Sequence, residues 1–267
     1  MELHHCSFQW EIILAPLLSI PPDGADRREA AYRGMYLGGN ESLTSLDWVN
    51  THVKIGHGPL GALYPLKTWT APNPHGVLKE GDTPSWFYFL PNGLGDPEHP
   101  EWGSWGGRFR RAAGGLYRDA LDPTVSASDT RVTVSRWRPA YQNDFQARMD
   151  WCLKSYREVN HPPAAVLDGK PGRNVVRIQT RPGTNVSCRA TGSSDPDHDR
   201  LSYRWWIYRE AGKRSEQAVI EHPERERTSV RVPRGAAGSE IHVILEITDS
   251  GTPPLSSYRR AIIDVQP

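Results

Sequence analysis

The sequence predicts an α/β front half, helices around a mostly parallel sheet, followed by an all-β sandwich. Three observations carry that prediction. Trp86-Phe87-Tyr88-Phe89-Leu90 is a short aromatic and apolar run between turn residues, the pattern of a strand buried on both faces in a parallel sheet. Asn143-Asp144 precedes Phe145, Met149, Cys152, Leu153 and Tyr156 at helical spacing, which predicts a capped amphipathic helix. Beyond Leu167 the texture changes to alternating strands between turn clusters, about six or seven in roughly a hundred residues, the spacing of a sandwich.

A chain of 267 residues suits more than one domain. Hydrophobic residues are 37% and charged residues 24%, poor in aliphatics, but ten Trp and ten Tyr supply large apolar surface for a folded protein. A net charge of +1 gives no electrostatic case for a nucleic-acid or anionic-membrane partner. Arg108, Arg110 and Arg111 therefore predict a solvated or carboxylate-paired face. Cys6, Cys152 and Cys188 are an odd set with unrelated spacings, so neither a zinc pattern nor a disulfide framework follows. Cys152 falls on the stripe of the predicted helix and reads as a core thiol.

Along the chain, Ile12 to Ile20 is too short to span a membrane. With Glu2 and Glu11 in place of a basic region, it makes no convincing signal peptide. Asn40 and Asn185 open glycosylation sequons, usable only in a secreted chain. Thr44 or Ser45, with Leu46, Val49 and Val53, predicts a capped helix ending near Gly56, because His57-Gly58-Pro59-Leu60-Gly61 should not continue it. The irregular stretch up to Pro84 offers His57, Asn73, His75 and Asp82; Asp82 is either a ligand contact or a turn residue bonding its own backbone. Arg131 to Val134 alternates like a short strand. After the Asn143 helix, Asn160 to Asp168 is the linker. Strands are then expected at Val175 to Ile178, Thr184 to Ala190, Leu201 to Tyr208, Ser229 to Val232, Ile241 to Thr248 and Tyr258 to Val265.

Ligands in open α/β sheets bind beyond the carboxyl ends of the strands. Past Leu90 the chain lays down Asn92, Asp96, Glu98, His99, Trp102, Trp105 and Arg108. Polar groups interleaved with Trp suit a sugar ring, which has an apolar CH face and a hydroxyl rim. The other reading is a Gly-rich surface loop whose Trp residues pack on the sheet edge.

Several long motifs carry a resemblance: Arg33-Gly34-Met35-Tyr36, Gly56-His57-Gly58-Pro59-Leu60-Gly61-Ala62, Glu80-Gly81-Asp82-Thr83-Pro84-Ser85, Trp102 through Arg108, and Asn143-Asp144-Phe145 through Trp151. Together they resemble the nucleoside-hydrolase-like proteins, some of them cellulose-binding. Ser194-Asp195-Pro196-Asp197-His198-Asp199 to Trp206, with Ile241 through Asp249, is similar to the C-terminal immunoglobulin-like module of those proteins. The resemblance implies a divergent segment at 1–30, the C-terminal part of a hydrolase-like domain at 31–163, and an immunoglobulin-like sandwich at 168–267. It also implies secretion and a carbohydrate or nucleoside-like ligand.

In the resembled hydrolases a calcium ion held by several aspartates orders sugar hydroxyls and activates a water, which attacks an oxocarbenium-like centre. Their opening Asp cluster has no counterpart before Tyr32. The resemblance therefore implies an incomplete Ca2+ site and no expected catalysis. It also implies an unpaired sheet edge through which chains would associate. Asp144 is similar in position to a late metal ligand, and it reads equally as a helix cap with Asn143. On this basis Asp82 and Asn92 contact ligand hydroxyls, Trp102 or Trp105 stacks on the ring, and Arg108 and Asn143 line the site. If the missing aspartates were supplied, an N-glycosidase is the alternative; a purely structural surface module is the other. Asp195, Asp197 and Asp199 alternate like the start of a calcium loop, but Arg200 and Trp206 occupy the positions an EF-hand needs as Gly and Glu. A polar turn or an accessory cation site remains, and His198 is expected at positive φ, standing where such motifs carry glycine.

Overall fold

The computed structural model describes residues 38–66, 86–113, 117–213, 215 and 217–267. Described residues within Met1–Ser45, Pro65–Leu90 and Gly95–Arg138 form one compact unit; those within Leu46–Tyr64, Pro91–Leu94 and Pro139–Pro267 form a second. Helices α1 (Leu46–Val49) and α2 (Gly58–Leu63) belong to the second unit, α3 (Val132–Ser135) to the first, and α4 (Arg138–Trp151), apart from its first residue, to the second. The strands of the first unit are β1 (Phe109–Arg111) and β2 (Tyr117–Asp119). Those of the second are β3 (Val176–Thr180), β4 (Asn185–Arg189), β5 (Ser202–Ile207), β6 (Val219–Glu221), β7 (Arg227–Arg231), β8 (Glu240–Thr248) and β9 (Ser256–Val265).

The first unit corrects two sequence expectations. Trp86 and Phe87 are helical and Tyr88 and Phe89 form a turn, so no strand runs here, and Trp86 is 63% exposed. Ring packing rather than a strand ladder buries Phe87 and Tyr88: Phe87 meets Trp105 edge-on at 6.0 Å, and Tyr88 meets Phe109 at 6.1 Å. Among the described residues, the sheet of this unit is the antiparallel β1–β2 pair, with Phe109 opposite Asp119. Arg131 to Val134 is helical too, because Asp129 accepts from the Arg131 backbone at 3.0 Å and pairs with its guanidinium at 2.8 Å, fixing a turn that α3 continues. A four-residue alternation cannot outvote that local bonding.

In the second unit, α1 runs on as a π turn over Asn50–Lys54, burying Val49 and Val53, and stops at Gly56, φ 82°. The segment after it was expected to be irregular, yet Gly58-Pro59 opens α2. Proline is tolerated in a first helical turn, where its missing N–H has no intrahelical partner anyway. The same rule explains α4, which starts at Arg138-Pro139, five residues before the predicted cap. Asn143 and Asp144 are consequently interior to the helix. Tyr141, Gln142 and Met149 are buried, whereas the helix ends at Trp151 and leaves Leu153 and Tyr156 exposed. Cys152 is exposed as well and is not a core thiol.

The β region follows the predicted strands closely and adds β6. One sheet has the order β3-β9-β8-β5, with β3 parallel to β9 and the other pairs antiparallel; the second sheet is antiparallel with the order β4-β7-β6. Alternation sends Val186 and Cys188 of β4, Val230 of β7, Trp205 of β5, and Val243 and Leu245 of β8 into one shared core. Trp206, the next residue along β5, faces the other way and is half-buried beside Arg204, whose guanidinium lies 6.0 Å from its ring. Strands β8 and β9 are buried on both faces. Segment Pro91–Leu94 bonds to β9: Tyr258 N donates to Asn92 O at 2.9 Å, and Arg260 Nε donates to Leu94 O at 2.9 Å. Gly93, φ 87°, makes this approach possible, since a Cβ there would overlap the Tyr258 carbonyl.

Candidate functional site

Trp102, Trp105 and Arg108 belong to the first unit, and Asn92, Asn143 and Asp144 to the second. Asp82, with Asn73 and His75, lies outside the described residues. Trp102 and Trp105 are 5% and 3% exposed, internal to the first unit. His99 covers one face of Trp102, the rings 3.7 Å apart and tilted by 6°, and Phe87 abuts Trp105. Neither indole offers an open face to a sugar.

Arg108 is carboxylate-paired. Its Nε donates to Asp122 Oδ1 at 2.7 Å and Nη2 donates to the Leu121 carbonyl. Arg136 Nη1 donates to the second Asp122 oxygen at 2.8 Å. Asp122 is fully buried, so the two guanidiniums hold an otherwise costly charge. Sequence reasoning missed Asp122 and Arg136, because no local spacing links either to Arg108.

In the second unit, the polar candidates make internal bonds, although the buried Asn92 Nδ2 has no partner among the described residues. Asn92 Oδ1 accepts from Leu94 N at 3.0 Å, Asn143 Nδ2 donates to Pro254 O at 2.9 Å, and His57 reaches Thr51 O and Asp150. Both Asp144 oxygens face Arg148, at 2.6 and 3.3 Å, one helical turn on. Among the described residues no group of three or more His, Cys, Asp or Glu is placed to hold a metal. The residues at Asp144 therefore do not fit a calcium site.

What the second unit does present is a stack of rings after α4. His161 lies 3.7 Å from Tyr156 at 22° and 5.8 Å from Trp151 at 15°, and the Arg148 guanidinium sits 5.2 Å from the Trp151 ring. Tyr156 is 63% exposed. Its position is fixed by the capping box of the following 3-10 turn, in which Ser155 and Glu158 bond reciprocally. The Ser155 bonds hold the Glu158 carboxyl below its ordinary range. His161 is held by Asp197, whose carboxylate accepts from His161 N at 2.7 Å and lies 3.1 Å from Nδ1. In the sequence Tyr156 reads as helix stripe and His161 as a helix stop, so the stack has no local signature.

A family model described as cellulose-binding Sde182, nucleoside hydrolase-like domain, matches residues 24–109. A second, described as cellulose-binding protein Sde0182, C-terminal domain, matches residues 185–265. The chain belongs to this cellulose-binding, nucleoside hydrolase-like family. A solved structure of a nucleoside hydrolase-related hypothetical protein from Saccharophagus degradans, associated with carbohydrate metabolism, is 35% identical and superposes with a TM-score of 0.68. The match covers 82% of this chain and 54% of that one, so the chain spans about half the length of that relative. The PKD domain of the KIAA 1837 protein aligns at 14% identity and a TM-score of 0.26, covering 34% of this chain and 80% of that one. No curated protein matches the chain. The C-terminal domain match thus follows the nucleoside hydrolase-like match along this chain.

Proposed function

We propose that this chain is a non-catalytic carbohydrate-binding protein that holds a cellulose-like polysaccharide through the exposed ring of Tyr156. The observation that carries the reading is the Tyr156–His161–Trp151 stack on a chain of a cellulose-binding family. A tyrosine with one face against His161 and most of its surface in solvent offers a flat apolar platform at little ordering cost. The apolar face of a pyranose is complementary to such a platform. Burial of Trp102 and Trp105 turns the choice away from the Gly-rich segment. Binding rather than cleavage is favoured because the Asp144 carboxylate is engaged by Arg148. We read the two-sheet region as an immunoglobulin-like sandwich that carries this platform, on the strand order and the shared core.

The test is retention on insoluble cellulose, read as the fraction of folded protein depleted from solution. Tyr156→Ala is expected to lower retention at least tenfold while leaving the far-UV spectrum unchanged, as Tyr156 is exposed. Trp86→Ala, at the exposed aromatic of the first unit, is expected to leave it unchanged. Loss of retention with Trp86→Ala alone would move the platform to the first unit, and no retention by the parent would remove the proposal.

A further inference from the structure

Asn160, Asp195 and Asp249, on three neighbouring loops of the second unit, each keep one buried oxygen that no group among the described residues satisfies. Asn160, Asp195 and Asp249 are 9%, 7% and 4% exposed. Among the described residues, Asn160 Oδ1, Asp195 Oδ2 and Asp249 Oδ2 are buried atoms without a hydrogen-bond partner. The opposite atom of each side chain is fully used. Asp249 Oδ1 accepts from Asn160 Nδ2 at 3.1 Å and from Gly251 N and Leu255 N, each at 3.0 Å. Asp195 Oδ1 accepts from Asp197 N at 2.8 Å and Asp199 N at 3.1 Å. Asn160 Nδ2 also donates to Pro253 O at 2.8 Å. Both partners of that nitrogen are pure acceptors, so the carboxamide cannot be turned round and its oxygen is the orphan.

The loops are fastened to one another. Ala164 and Ser194 exchange backbone hydrogen bonds at 2.8 and 3.2 Å, and Ser250 Oγ donates to Asp199 Oδ1 at 3.3 Å. Gly251 lies so close to Asn160 that a Cβ there would overlap its carboxamide. Asp195 and Asp249 lie near enough for their charges to interact. Leaving three buried acceptors unanswered, two of them carboxylate oxygens, is costly. Each unpaired atom is an acceptor, so the missing partner is a cation or a donor.

We propose that Asn160 Oδ1, Asp195 Oδ2 and Asp249 Oδ2 bind a calcium-type divalent cation that clamps the three loops. Two carboxylates neutralise its charge, and a carboxamide oxygen with waters completes a hard, all-oxygen shell. The absence of a sulfur or imidazole donor disfavours zinc, and ligands from three loops suit calcium better than the strict octahedron of magnesium. Only two of the three donors are carboxylates, so this is not a group of three or more His, Cys, Asp or Glu, of which the described residues hold none.

Trp151 provides the probe, because its indole N–H donates to the Asn160 carbonyl at 2.8 Å. The full chain, stripped with EGTA, is titrated with Tb3+ under indole excitation and then with Ca2+, and its melting temperature is read in Ca2+, Mg2+ and EGTA. Saturable, Ca2+-displaceable luminescence is expected, with Ca2+ raising the melting temperature by about 5 °C over EGTA and Mg2+ far less. The isosteric Asp195→Asn and Asp249→Asn, which keep an oxygen for the backbone donors, should weaken Ca2+ at least tenfold. The proposal is overturned if the parent protein melts identically in Ca2+ and EGTA without displaceable luminescence. It is equally overturned if both variants bind Ca2+ as the parent does, or if Asp249→Asn is stabilised while the parent ignores Ca2+, the signature of a shared proton or water.

Discussion

Arg260 Nη1 donates to His242 Nδ1 at 2.8 Å within the four-stranded sheet. Arginine has no acceptor, so Nδ1 is unprotonated and the imidazole proton sits on Nε2, which donates to Glu240 Oε1 at 2.8 Å. Burial, and to a lesser degree Arg260 and Arg177, push His242 down to about 4 from 6.5, against the opposing pull of Glu240. A depressed folded value means that the unfolded chain takes up this proton first. Stability from this group is therefore complete above 6.5 and lost as pH falls to about 4, by at most ~3 kcal/mol. The Glu240 carboxyl, lowered mainly by its bond to His242, acts in the same direction at lower pH. Urea midpoints measured between pH 7 and pH 4.5 are expected to fall, and His242→Gln to flatten that fall.

Asp122 holds two arginines at once. Replacing it with alanine strands two guanidiniums against low-dielectric surroundings, and a loss of ~3–5 kcal/mol is expected in chemical denaturation. Arg136→Met should cost less, because Arg108 still answers the carboxylate through Nε and its own Nη2 still reaches Leu121.

Trp102 and Trp105 are predicted to matter to folding and not to recognition. Each alanine variant should lose ~3–5 kcal/mol of stability. Cellulose retention, normalised to the folded fraction, should match the parent. A selective loss of retention in a fully folded Trp102→Ala protein would reopen the Gly-rich segment as the ligand site.

The two described cysteines should separate cleanly in labelling. Cys152 is exposed and Cys188 is buried, with desolvation pushing the Cys188 thiol up to about 12. Under native conditions a thiol reagent should modify Cys152 within minutes and reach Cys188 only on unfolding, which peptide mapping by mass spectrometry resolves.

The β strands were legible because their alternation has one explanation: a residue pointing inward every second position. The opposite faces of Trp205 and Trp206 follow from that rule, and His198 adopts φ 65°, as its place in the Asp195 to Asp199 motif implied. The front half was harder to read. Trp86 to Leu90 satisfies its aromatic rings through Trp105 and Phe109, partners many residues away that no local window contains. The α4 start was misplaced because Asn143 and Asp144 look like caps, whereas Arg138-Pro139 already supplies a first turn. Of the candidate site, Arg108 could be read as carboxylate-paired, but Asp122, His161 and Asn160 gain their meaning from contacts across long sequence separations. The two Trp residues were misleading for a simple reason: an indole is as useful for filling a core as for meeting a sugar, and the sequence does not mark which.

Asn160 and His161 belong, by chain position, to the stretch joining α4 to the strands, yet they are bonded to Asp249, Pro253 and Asp197. Any recombinant fragment trimmed to begin at Asp168 would discard those anchors and leave the 249–255 hairpin loop without its counterpart. A portable version of the β region should instead be excised upstream of α4, so that the joining stretch travels with the strands it fastens.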